Sequence, residues 1–272
     1  MTWGLRDVRV SFGPRVALDA VTVPVDPSRV TVVVGGDGAG KSTCLRALVG
    51  LVEPGAGTVR RPAKERTGYV PATAGLYTDL TVQENLDFSA GAYRLPAARR
   101  ARREAEILER TGLAGVRDRL GGQLSGGMQR KLAVGLALLH EPQMLVLDEP
   151  TTGVDPVSRA ELWRMISGAA AQGTAVAVAT TYVNEAARAA SVVLLEAGKV
   201  LASGSPDAIL RGVPGAVGVQ GGGARPGPLA WRRGADWRIW APAGGLPAGV
   251  SRTEPDFADA VVVAALAGEG GR

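Results

Sequence analysis

A chain of 272 residues is long enough for one large domain, or for one domain with a small appendage, and either buries an ample hydrophobic core. The formal net charge of +5 is mostly an excess of arginine spread along the chain, which argues against a nucleic-acid partner because such a partner needs a clustered basic face. The single cysteine, Cys44, excludes an intrachain disulfide and predicts a reducing compartment.

The chain shows no sign of a secretory signal or a membrane span. Its first residues, MTWGLRDVRVSFG, lack a basic region followed by an apolar run. Residues 165–184 carry no charge, but serine, glycine, glutamine and threonine interrupt them. They predict the end of a helix followed by a buried strand, so we expect that the chain does not span a membrane by itself.

The first predicted elements are two strands and a phosphate-binding loop. Residues 5–10 and 20–25 alternate as strands do, with a turn between them. Residues 35–42 read GGDGAGKS and match G-x-x-x-x-G-K-[ST], between an apolar strand at 30–34 and a helix that opens at Lys41. The glycines let the backbone turn tightly and point its N–H groups at phosphate oxygens.

The two polar side chains at the end of this loop suit a nucleoside triphosphate. Lys41 supplies a positive charge for the β- and γ-phosphates, and the Ser42 hydroxyl can bind Mg²⁺. A glycine turn that merely includes a lysine is the alternative, but strand, loop and helix follow in the right order. The predicted binding residues are Gly35, Gly36, Asp37, Gly38, Ala39, Gly40, Lys41, Ser42 and Thr43.

Phe12 lies shortly before the phosphate-binding loop. Its ring could stack on a nucleotide base, or it could cover the edge of a small sheet. The spacing alone leaves both interpretations open.

The next segments predict short strands and two helices. Strands are expected at 58–60 and 68–70, and Thr81 with Glu84 forms a capping box that opens a helix. Residues 99–110 are densely charged, with Arg100/Glu104, Arg102/Glu106 and Glu106/Arg110 four positions apart. A solvated helix face explains this pattern, and a partner surface is the alternative.

Two later segments add further candidate functional groups. Residues 124–130 read LSGGMQR, where Ser125 is placed as the N-cap of a helix whose start is a second possible anion-binding site. Residues 144–147 are apolar and are followed by Asp148 and Glu149, which predicts a parallel strand buried on both faces. Carboxylates at the carboxyl end of such a strand lie where open α/β sheets bind ligands.

The last third of the chain predicts a strand at 174–179, a hairpin at 192–202 and a short helix capped by Ser205. From residue 212 the sequence is rich in glycine and proline, which predicts a linker or loose segment. Trp231, Trp237 and Trp240 alternate with arginines and could stack on bases or sit at a lipid interface, but burial in a small sheet is favoured. Residues 254–266 predict a short amphipathic helix.

Three motifs taken together resemble the ATP-binding subunits of ABC transporters. They are GGDGAGKST at 35–43, LSGGMQR at 124–130 and MLVLDEPTTGVDP at 144–156, and the resemblance covers about residues 5–210. It implies an α/β fold: a phosphate-loop ATPase core of ABC type with a helical signature subdomain and a small C-terminal appendage. The expected domains are an ABC ATP-binding domain at 1–211, with its helical subdomain at about 74–140, and a linker with a small accessory region at 212–272.

The resemblance also implies roles for individual residues and names ATP and Mg²⁺ as ligands. Phe12 would stack on adenine, Asp148 would hold Mg²⁺, and Glu149 would be the general base, with Lys41 as the second catalytic residue. Asp155 would belong to a loop that communicates across a dimer. The residues expected to bind the γ-phosphate of ATP held by the other subunit are Ser125, Gly126 and Gly127.

Two positions depart from the family pattern. Ala72 stands where G-Y-x-P-Q has its glutamine, and Gln83 is too far along the chain to replace it. Thr181 stands where T-H-Y-M-x-E-A has the histidine that senses the γ-phosphate. Losing one preorganised donor to a developing charge costs ~3 kcal/mol. We therefore expect a competent but slow ATPase in which the Thr181 hydroxyl stands in for the imidazole.

The resemblance is greatest to ABC-2-type exporters, including multidrug and antibiotic-resistance ones. It implies a head-to-tail homo- or heterodimer with a second ATP-binding subunit, integral membrane permease subunits as partners, and a cytoplasmic location on the inner face of the cell membrane. Two alternatives are a regulatory subunit that binds ATP with little hydrolysis beside an active homologue, and an ABC-type ATPase that acts on ribosomes or DNA.

Overall fold

The structure is a computed structural model that describes residues 2–73 and 75–269. These residues form three β-sheets and several helices. The strands are β1 (Trp3–Phe12), β2 (Arg15–Val25), β3 (Val30–Val34), β4 (Ala56–Arg60), β5 (Thr67–Val70), β6 (Met144–Asp148), β7 (Ala175–Thr180), β8 (Ser191–Glu196), β9 (Lys199–Gly204), β10 (Ala216–Gly221), β11 (Ala230–Arg233), β12 (Asp236–Ala241) and β13 (Ser251–Thr253). The helices are α1 (Lys41–Val49), α2 (Val82–Ala92), α3 (Ala97–Thr111), α4 (Gly126–Leu138), α5 (Pro156–Ala171), α6 (Val183–Ala186), α7 (Pro206–Arg211) and α8 (Phe257–Glu269).

The central sheet has six strands in the order β5-β6-β7-β3-β8-β9. Its neighbours run parallel, apart from the antiparallel hairpin of β8 and β9. Every residue of β3, β6 and β7 is buried, because helices cover one face and the antiparallel sheet with α1 covers the other. The predicted buried parallel strand and the predicted hairpin are both confirmed.

A three-stranded antiparallel sheet in the order β2-β1-β4 lies over one face of the central sheet. Its strands β1 and β2 are longer than the predicted segments 5–10 and 20–25. Register shifts interrupt the β1–β2 pairing, and Asp7 and Ala20 have positive φ angles of 50° and 51°. These irregularities break the alternation of side chains, so the sequence pattern shows only part of each strand.

The strands of the central sheet place the predicted motifs at one edge. β3 ends at Val34 and leads through the phosphate-binding loop into α1. β6 ends at Asp148 and β7 ends at Thr180, and both strands run parallel to β3. The loop, the two carboxylates and the segment around Thr181 therefore meet at the carboxyl ends of three adjacent strands.

Helices α2, α3 and α4 lie between β5 and β6 in the chain. Thr81 and Glu84 form the predicted capping box. The predicted Arg100/Glu104 and Glu106/Arg110 pairs are formed, but Glu106 pairs with Arg103 in place of Arg102. Arg103 is buried because its guanidinium also donates to the carbonyls of Leu138 and Leu139 at the end of α4. One edge of the charged helix face is thus packed against α4, not solvated.

The C-terminal part contains an antiparallel sheet in the order β11-β12-β10-β13, with α8 on one face. Trp240 is buried there and donates its indole N–H to the Pro214 carbonyl at 2.8 Å, as the predicted small sheet requires. The Gly/Pro-rich stretch includes β10, so part of it is ordered, contrary to the prediction of a loose segment. None of the helices in the described residues is both long and apolar enough to cross a membrane.

Helix α8 begins at Phe257, after the predicted residue 254. The Asp256 carboxylate accepts the Asp259 N–H at 3.0 Å, and the Asp259 carboxylate accepts the Asp256 N–H at 3.1 Å. This reciprocal pair satisfies N–H groups at the helix start, so the helix begins there.

Candidate nucleotide-binding site

The phosphate-binding loop depends on glycine at two positions where its backbone approaches other segments. An ideal Cβ on Gly35 would lie 2.1 Å from the Leu195 carbonyl oxygen. Gly40 has a φ of 105°, and a Cβ there would lie 2.8 Å from the Ala17 carbonyl oxygen. Gly40 also precedes α1 without any side chain capping that helix. The backbone N–H groups at the helix start are thus available for an anion.

Lys41 is held between the loop and a carboxylate. Its side chain is 5% exposed, and its ammonium group donates to the carbonyls of Gly35 and Gly36, both at 3.0 Å. The same nitrogen lies 3.6 Å from Oε1 of Glu149. The first motif and the carboxylate that follows β6 therefore meet in one place.

Ser42 and Asp148 form a pair suited to a divalent cation. The Ser42 hydroxyl donates to Oδ1 of Asp148 at 3.1 Å. Asp148 is fully buried, and within the described residues its Oδ2 has no hydrogen-bond partner. Burial raises the pKa of Asp148, and the hydrogen bond from Ser42 opposes that shift.

These two residues fit Mg²⁺ bound together with a polyphosphate. Mg²⁺ is usually held by one or two carboxylates plus substrate phosphates and water, not by a full cage of protein side chains. The part of the chain that the structure describes has no cluster of three or more histidine, cysteine, aspartate or glutamate side chains that could hold a metal ion. The unpaired oxygen of Asp148 is the atom that a cation would satisfy.

Glu149 stands at the end of β6 in an unusual backbone conformation. Its φ is 48°, which is uncommon for a residue other than glycine, asparagine or aspartate. Its N–H donates to the Ala179 carbonyl at 2.9 Å, and its Oε2 accepts the Thr152 hydroxyl at 3.2 Å. Strained residues held in this way concentrate at functional sites.

A cavity of about 550 Å³ opens over the phosphate-binding loop. The predicted residues that line it are Phe12, Asp37, Gly38, Ala39, Gly40, Lys41, Ser42, Thr43 and Glu149. Sequence reasoning missed five more, namely Arg15, Val16, Ala17, Ala197 and Gly198. They come from β2 and from the β8–β9 turn, where Gly198 donates its N–H to the Ala39 carbonyl at 2.9 Å. No local motif marks them, because only the sheet topology brings them here.

Thr181 lies beside the loop but in a second cavity of about 430 Å³. That cavity is also lined by Gly35 and Gly36 of the loop and by Val261 and Ala265 of α8. The C-terminal helix is therefore part of the surroundings of Thr181, which the sequence did not predict.

The LSGGMQR segment begins α4 in the predicted way. The Ser125 hydroxyl caps the helix by accepting the Met128 N–H at 3.3 Å. A Cβ on Gly127 would lie 2.5 Å from Oγ of Ser158, so this glycine permits close contact with α5. Of the described residues that line the first cavity, none belongs to 125–127.

Asp155 has a structural role that the sequence reasoning overlooked. Its carboxylate caps α5 by accepting the N–H groups of Val157 and Ser158, both at 3.0 Å. Hydrogen bonds from Ser158 are the main reason that the pKa of Asp155 is lowered.

The segment that carries Ala72 is held by Arg130. The guanidinium donates to the carbonyl of Pro71 at 3.4 Å and to that of Ala72. Gln83 instead donates its amide to Asp87 at 3.0 Å and to Glu104 at 3.1 Å, within the helical region. Gln83 is therefore occupied elsewhere, as its distance along the chain suggested.

The fold and the site define a phosphate-loop nucleotide-binding protein of the α/β class. The family model described as ABC transporter matches residues 18–152. A solved structure titled as the ATP-binding subunit of an ABC transporter superposes with a TM-score of 0.71 and 31% identity, covering 78% of this chain and 92% of the other.

Two named relatives are similar over most of this chain. The Nod factor export ATP-binding protein I of Paraburkholderia xenovorans (strain LB400) is 34% identical over 236 residues, which are 83% of this chain and 77% of the relative. The probable multidrug ABC transporter ATP-binding protein YbhF of Escherichia coli (strain K12) is 41% identical over 196 residues, 68% of this chain. The chain spans about a third (34%) of the length of YbhF.

The chain belongs to the ATP-binding subunits of ABC transporters, a family of ATPases coupled to transport. The predicted fold class and the resemblance drawn from the three motifs are thereby confirmed.

Proposed function

We propose that this chain binds and hydrolyses ATP, with Mg²⁺, to power a membrane exporter. The observation that carries the proposal is that Lys41, Ser42, Asp148 and Glu149 come together beside one cavity. The names of the two relatives, one for Nod factor export and one for a probable multidrug transporter, support export as the direction of transport.

ATP would extend across the cavity from Phe12 to the start of α1. The Phe12 ring is 55% exposed at the cavity wall and offers a stacking surface for adenine. The N–H groups of residues 35–43 and the Lys41 ammonium would bind the phosphates. Mg²⁺ held by Ser42 and Asp148 would neutralise charge on the β- and γ-phosphates.

Glu149 would act as the general base for hydrolysis. It would take a proton from the water that attacks the γ-phosphorus, while the bond to the β-phosphate oxygen breaks to give ADP and phosphate. Lys41 would stabilise the charge that develops on the transferred group. The 3.6 Å separation between Lys41 Nζ and Glu149 Oε1 supports a joint action on the same phosphate.

Turnover would be slow, because Ala72 and Thr181 replace two polar side chains of the family pattern. Each missing donor costs ~3 kcal/mol of transition-state stabilisation, or a factor of about a hundred. The Thr181 hydroxyl would partly replace the imidazole.

A second ATP-binding subunit would complete each site. Ser125 and Gly126 are exposed, and residues 125–127 do not contribute to the described lining of the first cavity of their own chain. A head-to-tail homo- or heterodimer would bring these residues to the γ-phosphate bound by the other subunit, with Asp155 beside the contact. ATP would then close the dimer and hydrolysis would reopen it.

Membrane permease subunits are the partners that this family serves. An apolar cavity of about 400 Å³ includes Tyr77 and Phe88, whose exposed rings meet edge to face with centroids 4.7 Å apart. Such a patch would suit a permease segment. The chain would then be cytoplasmic and peripheral on the inner face of the cell membrane.

Residues 1–211 would form the ATP-binding domain, with its helical part at about 74–140. Residues 212–272 would form the accessory region.

A regulatory subunit with little hydrolysis is the second candidate. Ala72 and Thr181 favour it, and it would need an active homologue as its partner. The intact Glu149 beside Lys41 favours the first proposal.

Phosphate release from Mg²⁺-ATP by the purified chain tests the two candidates. We expect slow turnover in the wild type and a loss of about a hundredfold or more in Glu149→Gln. Glu53→Gln, an exposed glutamate beyond the far end of α1, is the control and should match the wild type. Equal turnover of wild type and Glu149→Gln contradicts hydrolysis by this site. ATP binding without turnover, even with the membrane partner present, would favour the regulatory role.

A further inference from the structure

A buried glutamate connects two of the segments around the candidate site. Glu185 lies in the one-turn helix α6 and is 2% exposed. Its Oε1 accepts the Thr151 hydroxyl at 2.6 Å, and its Oε2 accepts the Thr180 hydroxyl at 2.8 Å. Both threonines are fully buried or nearly so. One carboxyl group therefore holds two hydroxyls from different parts of the chain.

Each threonine lies within two positions of a residue of the proposed mechanism. Thr151 follows Glu149 by two positions, and Thr180 immediately precedes Thr181. The Thr180 hydroxyl also accepts the Tyr182 N–H at 3.1 Å, which fixes the segment after β7. A shift of the Glu185 side chain would therefore displace both Glu149, the proposed general base, and Thr181, which replaces the histidine.

Helix α5 reaches the same carboxyl group through Arg159. Its Nε lies 3.9 Å from Oε1 of Glu185, beyond hydrogen-bond distance, and is buried without a partner within the described residues. The guanidinium carbon lies 4.4 Å from the centroid of the Tyr182 ring. The segment that Asp155 caps is thus close to Glu185 as well.

We propose that Glu185 is a positioning residue that sets the placement of Glu149 relative to Thr181 during ATP hydrolysis. The inference rests on the proposed function. A carboxyl group is costly to bury, and well-packed apolar residues often stabilise such a site equally well. The carboxylate provides two fixed hydrogen-bond acceptors, one for each threonine, and an apolar side chain provides none.

Substitution of Glu185 by glutamine tests whether both acceptor oxygens are needed. Glutamine has nearly the shape of glutamate but only one acceptor oxygen, so one threonine hydroxyl hydrogen would lack its acceptor. Because a misplacement of about 1 Å can cost on the order of a hundredfold in rate, we expect kcat of Glu185→Gln to fall about tenfold to a hundredfold. KM for ATP should stay within about twofold, because Glu185 does not line the phosphate-loop cavity.

Three variants distinguish positioning from a purely structural contribution. Glu185→Met removes both acceptors, so it should lower the melting temperature, because two buried threonine hydroxyls lose their partner. At temperatures where both variants stay folded, it should reduce turnover at least as much as Glu185→Gln does. Glu161→Gln, whose side chain pairs with Lys131 on α4, is the control and should keep its turnover. In a Glu149→Gln background, Glu185→Gln should cause no further loss of kcat, because the base that it positions is already absent. Full turnover in a folded Glu185→Gln chain would overturn the proposal.

Amide hydrogen exchange of the nucleotide-free chain gives a readout that does not depend on hydrolysis. In Glu185→Gln we expect faster exchange in residues 149–155 and 180–187, with unchanged exchange in α3. Unchanged exchange in both segments would show that Glu185 does not connect them, and would overturn the proposal whatever the rate of hydrolysis. If the wild type itself fails to hydrolyse ATP while the exchange result holds, the proposed function fails and the connection between the two segments stands.

Discussion

The Ser42 hydroxyl lies 3.1 Å from Oδ1 of Asp148, although 106 positions separate the two residues along the chain. The pair joins the start of α1 to the end of β6, so it brings together the two halves of the proposed Mg²⁺ site. The arrangement has a cost, since the other Asp148 oxygen is buried and has no partner among the described residues.

Asp148→Asn should raise the melting temperature at neutral pH and abolish Mg²⁺-dependent ATP hydrolysis. Burial raises the pKa of Asp148, so the ionised carboxylate destabilises the fold at pH values above that pKa. The wild type therefore loses stability as the pH rises through the pKa of Asp148, whereas asparagine does not titrate.

Thermal melts at several pH values and phosphate release check this prediction. The gain in stability of the Asn variant should be full at pH 8, should shrink as the pH falls through the raised pKa of Asp148, and should vanish below the ordinary pKa of an unfolded aspartate. Added Mg²⁺-ATP should stabilise the wild type more than the variant. A variant less stable than the wild type at pH 8 would contradict the argument.

Thr181→His should increase turnover if the missing imidazole limits the rate. The expected gain is up to about a hundredfold, because a restored donor contributes ~3 kcal/mol. Thr181→Val keeps the shape but removes the hydroxyl, and we expect it to hydrolyse ATP more slowly than the wild type. Steady-state phosphate release measures both variants, and identical rates for the valine variant and the wild type would refute the role of the hydroxyl.

Gly40→Ala should destabilise the chain and weaken ATP binding. The positive φ and the contact with the Ala17 carbonyl leave no room for a methyl group, so we expect a loss of about 1–3 kcal/mol in unfolding free energy. Gly36→Ala is the matched control, since a Cβ at Gly36 meets nothing within 4 Å. Denaturant titration measures the free energy of unfolding of both variants. A similar loss in both would show that crowding at Gly40 does not cause the destabilisation.

Phe12→Ala should weaken ATP binding by about tenfold, because stacking on a base contributes on the order of 1–3 kcal/mol. The melting temperature should change little, since the ring is already half exposed. Phe88→Ala removes a ring of similar exposure that lines a different cavity, and it should leave ATP affinity unchanged. Titration with a fluorescent ATP analogue measures both, and equal affinities in the two variants would argue against stacking by Phe12.

Cys44 should resist alkylation in the folded chain. Burial raises its pKa to about 12, so the reactive thiolate is scarce at pH 8. We expect iodoacetamide to label the guanidinium-unfolded chain and to leave the native chain unmodified over the same interval, with or without ATP. Rapid labelling of the native chain would mean that α1 opens often.

Local sequence patterns predicted the elements whose determinants lie close together in the chain. The loop at 35–42, the N-caps Ser125 and Ser205 and the buried strand before Asp148 all follow from short-range rules, and the structure contains each of them. The same rules missed Asp155 as a cap, because its motif suggested another role.

Contacts between distant segments could not be predicted in this way. Arg130 of α4 donates to the carbonyls of Pro71 and Ala72, which lie 59 and 58 positions away along the chain. Gly198 meets Ala39 only because β8 lies next to β3. Strand β10 was hidden in a Gly/Pro-rich stretch, since pairing with β12 and β13 overrides its weak local preference.

The position of α8 bears on how this protein should be prepared for biochemical work. Val261 and Ala265 form a wall of the cavity behind the phosphate-binding loop. A recombinant fragment cut at residue 211, where composition changes, would open that wall to water beside Gly35 and Thr181. Rate constants measured on such a fragment would not describe the full chain. Crystallisation trials should therefore keep the residues that follow 211.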